Sequence, residues 1–360
     1  MKKTIQVGTS NFKEMIEENH YFVDKSLLIK EFVQNGAKVI LTPRPRRFGK
    51  TLNMSMLKYF FDIENKEENK DLFKGLKIEN EKEIMKMQGE YPVIFLSFKN
   101  EKYTTFEEFK YGIKSLMMDI YRDNVYLLES DNLIDQDKDK FEAILTGKAD
   151  MVEYYKALST LMHYMNIHYN KKVMLFIDEY DVPVQESYLK NYYEEAINVI
   201  RRILTAALKD NVYLERSLVT GILRVAKESI FSGLNNLEVN TILGLNFNNK
   251  FGFEEEEVKD LLQYYDLEAK KVIYNPWSVL NYIKNYEQGF MPYWINSSGN
   301  ELIKRLLSRG TKETKECLEE LIKGNTITKI VDDHIVMKEV DEDEENIWSF
   351  LNNEWLFKVS

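Results

Sequence analysis

Apolar residues recur along the chain with two spacings, which predict a succession of strands and helices. Short apolar runs typical of buried strands lie at 37–42, 91–98, 173–177, 214–223 and 239–245. Helical spacing is found in 11–36 (which ends at an Asn-Gly stop signal), after residue 51, from residue 106, around 150–169 and in 187–210. Five strands separated by helices predict an α/β domain with a mainly parallel five-stranded sheet flanked by helices.

The strand pattern ends near residue 248, and only helical spacing continues beyond it. We therefore expect a domain at 1–248 and a smaller, mostly helical domain of lid or winged-helix type at 249–330. A C-terminal tail follows at 331–360. Its acidic run DEDEEN, at 341–346, is interpreted as a solvated loop.

Composition excludes several classes of protein. With 44% hydrophobic and 13% aromatic residues in 360, the chain can form a substantial core and is not disordered. A net charge of −10 argues against a general nucleic-acid coat or a polybasic membrane binder. The single cysteine, Cys317, excludes a disulfide framework. Because no stretch of eighteen apolar residues and no apolar leader occur, we expect a cytoplasmic protein without a membrane anchor.

The segment after the first predicted strand has the chemistry of a phosphate-binding loop. It reads PRPRRFGKT, and Gly49-Lys50-Thr51 falls where the next helix begins. Backbone N–H groups and the helix dipole bind phosphates there, the lysine reaches the β and γ oxygens, and the threonine hydroxyl ligates Mg²⁺. The consensus G-x-x-x-x-G-K-[ST] requires glycine where this chain has Arg44. Since Gly-Lys-Thr is common by chance, an ordinary basic loop is the alternative.

A second motif follows the most apolar strand, in VMLFIDEYD. Asp178 is predicted to hold the Mg²⁺ shell, and Glu179 to polarise the attacking water as general base, with Asp181 as the next candidate. The alternative is that the acidic pair only caps a strand-to-loop turn. Two partly specific motifs in the right order, each after its own apolar strand, weaken both alternatives.

The fourth predicted strand supplies a third element. In P-loop ATPases with a strand between the two motifs, the next strand carries a polar sensor at its end. Thr220 fits that position. Arg224 follows and is predicted to contact the γ-phosphate in cis. A surface ion pair of Arg224 with Glu228, four residues later, is an equally good interpretation.

These residues together resemble the bacterial AAA-ATPase-like proteins, which commonly carry a C-terminal PD-(D/E)XK nuclease-like domain. The likeness covers residues 5–310, and its most specific segments are RPRRFGKT and IDEYDVP. Arginine at position 44 is usual in that family, so the departure from the consensus does not imply a dead site. The resemblance implies ATP and Mg²⁺ as ligands. It implies nucleotide contacts from Arg44, Arg46, Arg47, Phe48, Gly49, Lys50, Thr51 and Leu52, and magnesium held by Thr51 and Asp178.

Two departures from the family concern the second half of the chain. The segment LEAKKVI is shorter than the Tyr/Gly-rich insert usual there, and the chain ends at IWSFLNNEWLFKVS, where relatives continue. No acidic-x-Lys triad follows residue 330. The chain is therefore expected to lack the nuclease-like domain, by truncation or natural loss, and to lack metal-dependent nuclease activity.

The leading hypothesis is a P-loop protein that binds ATP, hydrolyses it with Mg²⁺ and acts as a nucleotide-driven switch. A non-catalytic, nucleotide-gated scaffold is one alternative. A nucleic-acid-associated module that uses the arginine cluster at 44–47 is another, which the acidic net charge disfavours. A nucleic-acid or protein partner for the C-terminal region and an oligomeric state are left open.

Overall fold

A central parallel sheet organises the described part of the chain. The computed structural model describes residues 2–222, 230–231, 234–242, 244–267, 276–286, 311–322, 327–329, 346 and 348. They include the strands β1 (Val39–Pro43), β2 (Val93–Ser97), β3 (Val173–Asp178), β4 (Leu214–Gly221) and β5 (Leu237–Val239). Helices flank the sheet, so the predicted α/β fold with a five-stranded parallel sheet is confirmed.

The strand order is β2-β3-β4-β1-β5, and each adjacent pair in the described sheet is parallel. β4 therefore lies between β1 and β3. Thr42 of β1 is opposite Thr220 of β4, and Ser97 of β2 is opposite Asp178 of β3. Because parallel strands end at one edge of the sheet, the residues that follow β1, β3 and β4 meet there.

The helices fall before, between and after these strands. Their bounds are α1 (Phe12–Glu17), α2 (Leu27–Gln34), α3 (Lys50–Phe61), α4 (Lys66–Asn69), α5 (Lys82–Met85), α6 (Phe106–Asp123), α7 (Asp135–Leu145), α8 (Met151–Tyr169), α9 (Val182–Leu189), α10 (Tyr193–Leu208), α11 (Glu255–Tyr264), α12 (Pro276–Lys284) and α13 (Lys312–Ile322). Within these described ranges, no helix combines the length and the apolar character needed to cross a bilayer.

β1 and β3 are buried on both faces, which explains their predominantly apolar sequences. In β3, Leu175 and Ile177 belong to the core beneath α6, α8 and α10, whereas Met174 and Phe176 belong to the core beneath α2 and α3. All four side chains are fully buried. The sheet is therefore the middle layer between two layers of helices.

Two predicted helices are wrong in their bounds. The stretch 11–36 contains two helices, α1 and α2, because the chain turns after α1 at Asn19, whose φ is 55°, and continues with Tyr21 N–H donating to Thr4 O at 2.9 Å. The stretch 187–210 is likewise divided between α9 and α10 at Asn191, whose φ is 63°. Helical spacing of apolar residues continues across such breaks, because residues on both sides of them are buried.

The fifth strand is also misplaced in the prediction. β5 occupies Leu237–Val239 and shares only Val239 with the predicted run 239–245. The ladder ends at Asn240, whose N–H donates to Leu41 O at 2.8 Å and whose carbonyl accepts from the Arg44 guanidinium at 2.6 Å. A side chain from another part of the chain therefore takes the next acceptor of the strand.

Helices α11 and α12 form a small core of their own. Val258 and Leu261 of α11 pack with Val279 of α12, and Ile5 and Tyr21 of the N-terminal segment cover them. Tyr265 Oη also donates to Lys3 O at 2.6 Å. The N-terminal segment thus joins this helical core to the sheet domain. The boundary at 248 stays a prediction, and the predicted tail 331–360 lies outside the described residues except for 346 and 348.

Candidate functional site

The loop between β1 and α3 ends in two residues with left-handed backbone conformation. Arg47 has φ 66° and Gly49 has φ 75°. A Cβ added at Gly49 would meet none of the described atoms within 4 Å, so glycine is needed there for its backbone conformation. Gly49 is the N-cap of α3, and since it has no side chain it leaves the first N–H groups of that helix to another acceptor. Such a helix end fits an anion.

Lys50 is buried at the start of α3 and folds back over the loop. Its Nζ donates to the carbonyls of Arg44 and Pro45, both at 3.0 Å. The ammonium therefore lies directly above the loop backbone. A phosphate bound in the loop would replace these neutral acceptors with charged oxygens, which bind an ammonium more strongly.

Asp178 joins the ends of three structural elements. Its side chain is fully buried at the end of β3. Thr51 Oγ1 of α3 donates to Asp178 Oδ2, and Thr220 Oγ1 of β4 donates to Asp178 Oδ1, both at 2.6 Å. The structure thus brings to one carboxylate a residue 127 positions before Asp178 and another 42 positions after it.

One hydroxyl and one carboxylate at this position fit a magnesium site. Magnesium takes few protein ligands and retains several waters and phosphate oxygens, so Thr51 and Asp178 form an adequate protein set. Among the residues that the structure describes, no group of three or more His, Cys, Asp or Glu side chains is arranged to hold a metal. A metal at this site would accordingly depend on the nucleotide for its remaining ligands.

Glu179 has a strained backbone and a shielded carboxyl group. Its φ of 53° is unusual for a residue with a side chain and costs about 1–3 kcal/mol. Burial raises the pKa of Glu179, and the neighbouring Asp178 raises it further, whereas Lys50 and Lys99 oppose the shift. The side chain lines the same cavity as the loop. A carboxylate with a raised pKa beside a phosphate-binding loop is suited to accept a proton.

Asp181, the second candidate base, has a structural environment. It is fully buried, and its Oδ2 accepts from Ile222 N at 2.9 Å and from Gln185 Nε2 at 3.0 Å. A Cβ at Gly221 would lie 2.6 Å from Asp181 Oδ1, so the end of β4 passes too close for a larger residue. We infer that Asp181 fixes the turn after β3 against the end of β4.

The three arginines of the loop have different surroundings. The Arg44 guanidinium is buried and donates to backbone carbonyls, whereas Arg46 and Arg47 line the cavity. Arg46 Nη2 donates to Gln185 Oε1 at 3.4 Å, and the Arg47 guanidinium lies 3.8 Å from the centre of the Trp277 ring. The Arg44 N–H also donates to Gly221 O, at 2.9 Å, so the structure gives no support to the expected phosphate contact of Arg44. The other predicted loop residues, Phe48, Gly49, Lys50, Thr51 and Leu52, all line the cavity.

The cavity is wider than the two sequence motifs indicated. It has a volume of about 740 Å³, within the range of small-molecule sites. Gly8, Tyr21 and Lys25 of the N-terminal segment line it, as does Trp277 of α12. The sequence analysis missed these residues, because they have no local motif and reach the cavity only through the packing of the N-terminal segment against α11 and α12. Arg224 lies outside the described residues.

Comparison with known proteins agrees with this geometry. Residues 6–231, more than half of the chain, match the family described as "Predicted AAA-ATPase". The chain is also 23% identical over 324 residues to a protein of Azotobacter chroococcum mcd 1 described as "Uncharacterized protein in vnfD 5'region". That alignment covers 85% of this chain and 56% of the relative, so the chain spans little more than half of the relative's length.

Proposed function

This chain belongs to the family of predicted AAA-ATPases, and from that membership we propose that it binds ATP with Mg²⁺ and hydrolyses it, using Glu179 as general base. The observation that carries the proposal is the pair of hydroxyl contacts to Asp178. They join the start of the helix after the loop, the end of β3 and the end of β4 around one buried carboxylate.

Phosphate binding is assigned to the loop and to Lys50. The left-handed residues Arg47 and Gly49 turn the backbone, and the first N–H groups of α3 face the bound anion. Lys50 exchanges the carbonyls of Arg44 and Pro45 for β- and γ-phosphate oxygens. The lysine is already positioned over the loop, so this exchange requires only a small movement of Nζ.

Thr51 and Asp178 are the residues that would hold the magnesium. The metal, when bound, neutralises charge on the β- and γ-phosphates. In this arrangement Asp178 keeps its hydrogen bond from Thr220, so that a change in the position of the carboxylate also affects the end of β4. Thr220 accordingly has the place of a sensor, and the contact of Arg224 with the γ-phosphate stays a prediction.

Glu179 is assigned to the proton transfer. Its carboxylate orients the attacking water and accepts the proton as the bond to the γ-phosphorus forms. The raised pKa of Glu179 lies closer to neutral pH, and a general base is more effective when its pKa is near the working pH. The strained φ fixes the direction of the side chain, since the backbone on both sides belongs to β3 and the turn before α9.

A switch role is supported by the residues that share the cavity. Trp277 of α12 packs against Arg47 of the loop, so that a change in the conformation of the loop would be transmitted to the helical region. The nucleic-acid alternative loses support, because the guanidinium of Arg44 is buried and that of Arg47 is stacked on a ring.

The test combines calorimetry with single-turnover hydrolysis on the purified chain. We expect saturable MgATP binding and release of one phosphate per bound ATP. Binding without release over hours would favour the nucleotide-gated scaffold. Absence of binding, together with salt-dependent DNA binding that ATP does not compete, would favour the nucleic-acid module.

A further inference from the structure

Arg44 stands where the P-loop consensus has its first glycine, and its side chain makes a group of contacts that glycine could not make. Its guanidinium donates to Pro43 O at 2.8 Å, to Asn240 O at 2.6 Å and to Phe247 O at 2.8 Å. It also lies 5.3 Å from the centre of the Phe251 ring. Only 1% of the residue is exposed. Three carbonyls and one ring therefore hold a single cation at the beginning of the loop.

The residues 240–242 and 244–252, which we call the brace, contact the loop at its other end too. Gly252 N donates to Phe48 O at 3.0 Å, and Asn53 Nδ2 donates to Lys250 O at 2.8 Å. A Cβ at Gly252 would lie 2.8 Å from the Phe48 ring, so the two backbones approach closely. The brace thus spans the phosphate-binding loop from its first residue to the first turn of α3.

The counter-charge for the buried arginine comes from Glu31 of α2, whose carboxylate is bound to the brace. Phe247, which accepts from Arg44, donates its own N–H to the carboxylate of Glu31, and that carboxylate lies 3.4 Å from Lys250 Nζ. Burial lowers the pKa of Arg44 to about 10, which leaves the group charged at neutral pH. A buried cation with three acceptors resists displacement, because each acceptor lost would leave charge unsatisfied.

We propose that Arg44 is a positioning residue that fixes the phosphate-binding loop to the brace. In this chain a side chain that anchors the loop thus takes the place of the consensus glycine. This inference rests on the proposed nucleotide binding. The Arg44 carbonyl accepts a hydrogen bond from Lys50 Nζ, so the position of Arg44 also determines where that ammonium lies before nucleotide binds. The proposal reverses the expectation from the motif: restoring the consensus with Arg44→Gly should impair the loop.

The test compares Arg44→Gly and Arg44→Lys with the parent chain and with Arg216→Gly and Arg216→Lys. Arg216 is the matched control, because it also donates to two backbone carbonyls, Asn35 O at 2.6 Å and Ala37 O at 2.9 Å, near the other end of the sheet. Arg44→Gly removes the three charge-assisted contacts of the guanidinium, so the loop must be ordered when ATP binds. We expect this to raise the Kd for MgATP by about tenfold or more. Arg44→Lys, with a single ammonium, should have a smaller effect and retain the fold.

Hydrogen exchange on the ligand-free proteins separates this proposal from the proposed function. The amides of 46–50, 240–242 and 244–252 should exchange faster in both Arg44 variants, whereas the Arg216 variants should change exchange only around 35–38 and at β4. Unchanged loop exchange in the Arg44 variants would overturn the proposal even if ATP binds. A parent chain that fails to bind ATP would refute the proposed function, and the exchange result would still decide whether Arg44 positions the loop. Tighter MgATP binding by Arg44→Gly would also overturn it.

Discussion

Replacement of Lys50 by alanine should cause the largest loss of nucleotide affinity of any single change in the loop. In the ligand-free structure, Lys50 Nζ donates to two carbonyls at 3.0 Å. When ATP binds, the same ammonium pairs with β- and γ-phosphate oxygens. Alanine removes both sets of contacts, so the change in affinity reports the difference between them.

The magnitude follows from the two sets of contacts. At an effective dielectric constant of about 20, an ammonium attracts one phosphate charge about 4 Å away by about 4 kcal/mol, hence about 8 kcal/mol for two. The two carbonyl bonds that Lys50 gives up are worth about 1.5–3 kcal/mol each. The difference of about 2–5 kcal/mol corresponds to a loss of affinity of at least about thirty-fold.

Isothermal titration calorimetry with MgATP measures this loss directly. Lys38→Ala is the matched control, since Lys38 Nζ also donates to a backbone carbonyl, Asn211 O at 2.9 Å, before β1 starts. It should bind ATP like the parent. Lys50→Gln, which keeps most of the side-chain length, guards against unfolding of the alanine variant. Affinity of both Lys50 variants within about threefold of the parent would refute the assignment of this loop.

Further predictions concern the acidic residues. Glu179→Gln should leave ATP binding intact and lower hydrolysis by about 10²-fold or more, measured in single turnovers; hydrolysis at the parental rate would mean that another group is the base. Since burial raises the pKa of Glu179 in the folded chain, ionisation opposes folding. Glu179→Gln should therefore raise the melting temperature at pH 8, and the gain should vanish as the pH falls below the ordinary glutamate value of about 4.3; an equal gain at pH 4 would contradict this cause. Asp178→Asn should weaken the dependence of ATP binding on Mg²⁺, seen by titration with and without EDTA, and an unchanged dependence would remove Asp178 from the metal site. The chain should not cleave plasmid or single-stranded DNA with Mg²⁺ or Mn²⁺, because no acidic-x-Lys triad follows residue 330; cleavage that survives Lys50→Ala but is lost on mutating the acids at 341–345 would show that the tail is a nuclease site.

The local motifs were sufficient to predict most of the fold, and they include residues that the structure brings to one edge of the sheet. β1 and β3 are buried on both faces and have predominantly apolar sequences, so they were recognisable. Gly49 and Lys50 are adjacent in the sequence and fall where a helix follows a strand. That position is typical of anion binding. The bounds of helices were less predictable, because the left-handed turns at Asn19 and Asn191 interrupt helices without interrupting the apolar pattern.

The role of Arg44 could not be read from the sequence, because its partners come from positions about 200 residues further along the chain. As a basic residue in a phosphate-binding loop, it indicated a contact with the anion. The packing of the brace against the loop decides that its guanidinium binds backbone carbonyls instead. The strain at Glu179 is likewise a product of the tertiary structure, since β3 and the turn before α9 impose its backbone conformation.

The sequence by itself determined which chemistry the protein carries: a loop with Gly49 and Lys50, a carboxylate pair after an apolar strand, and a hydroxyl at the end of another. These features are local, because each depends on a few adjacent residues and the strand or helix that they begin or end. Only the tertiary structure decided that Thr51 and Thr220 share the carboxylate of Asp178. Such contacts depend on the order of strands in the sheet, and hydrophobic periodicity carries no information on which strands become neighbours.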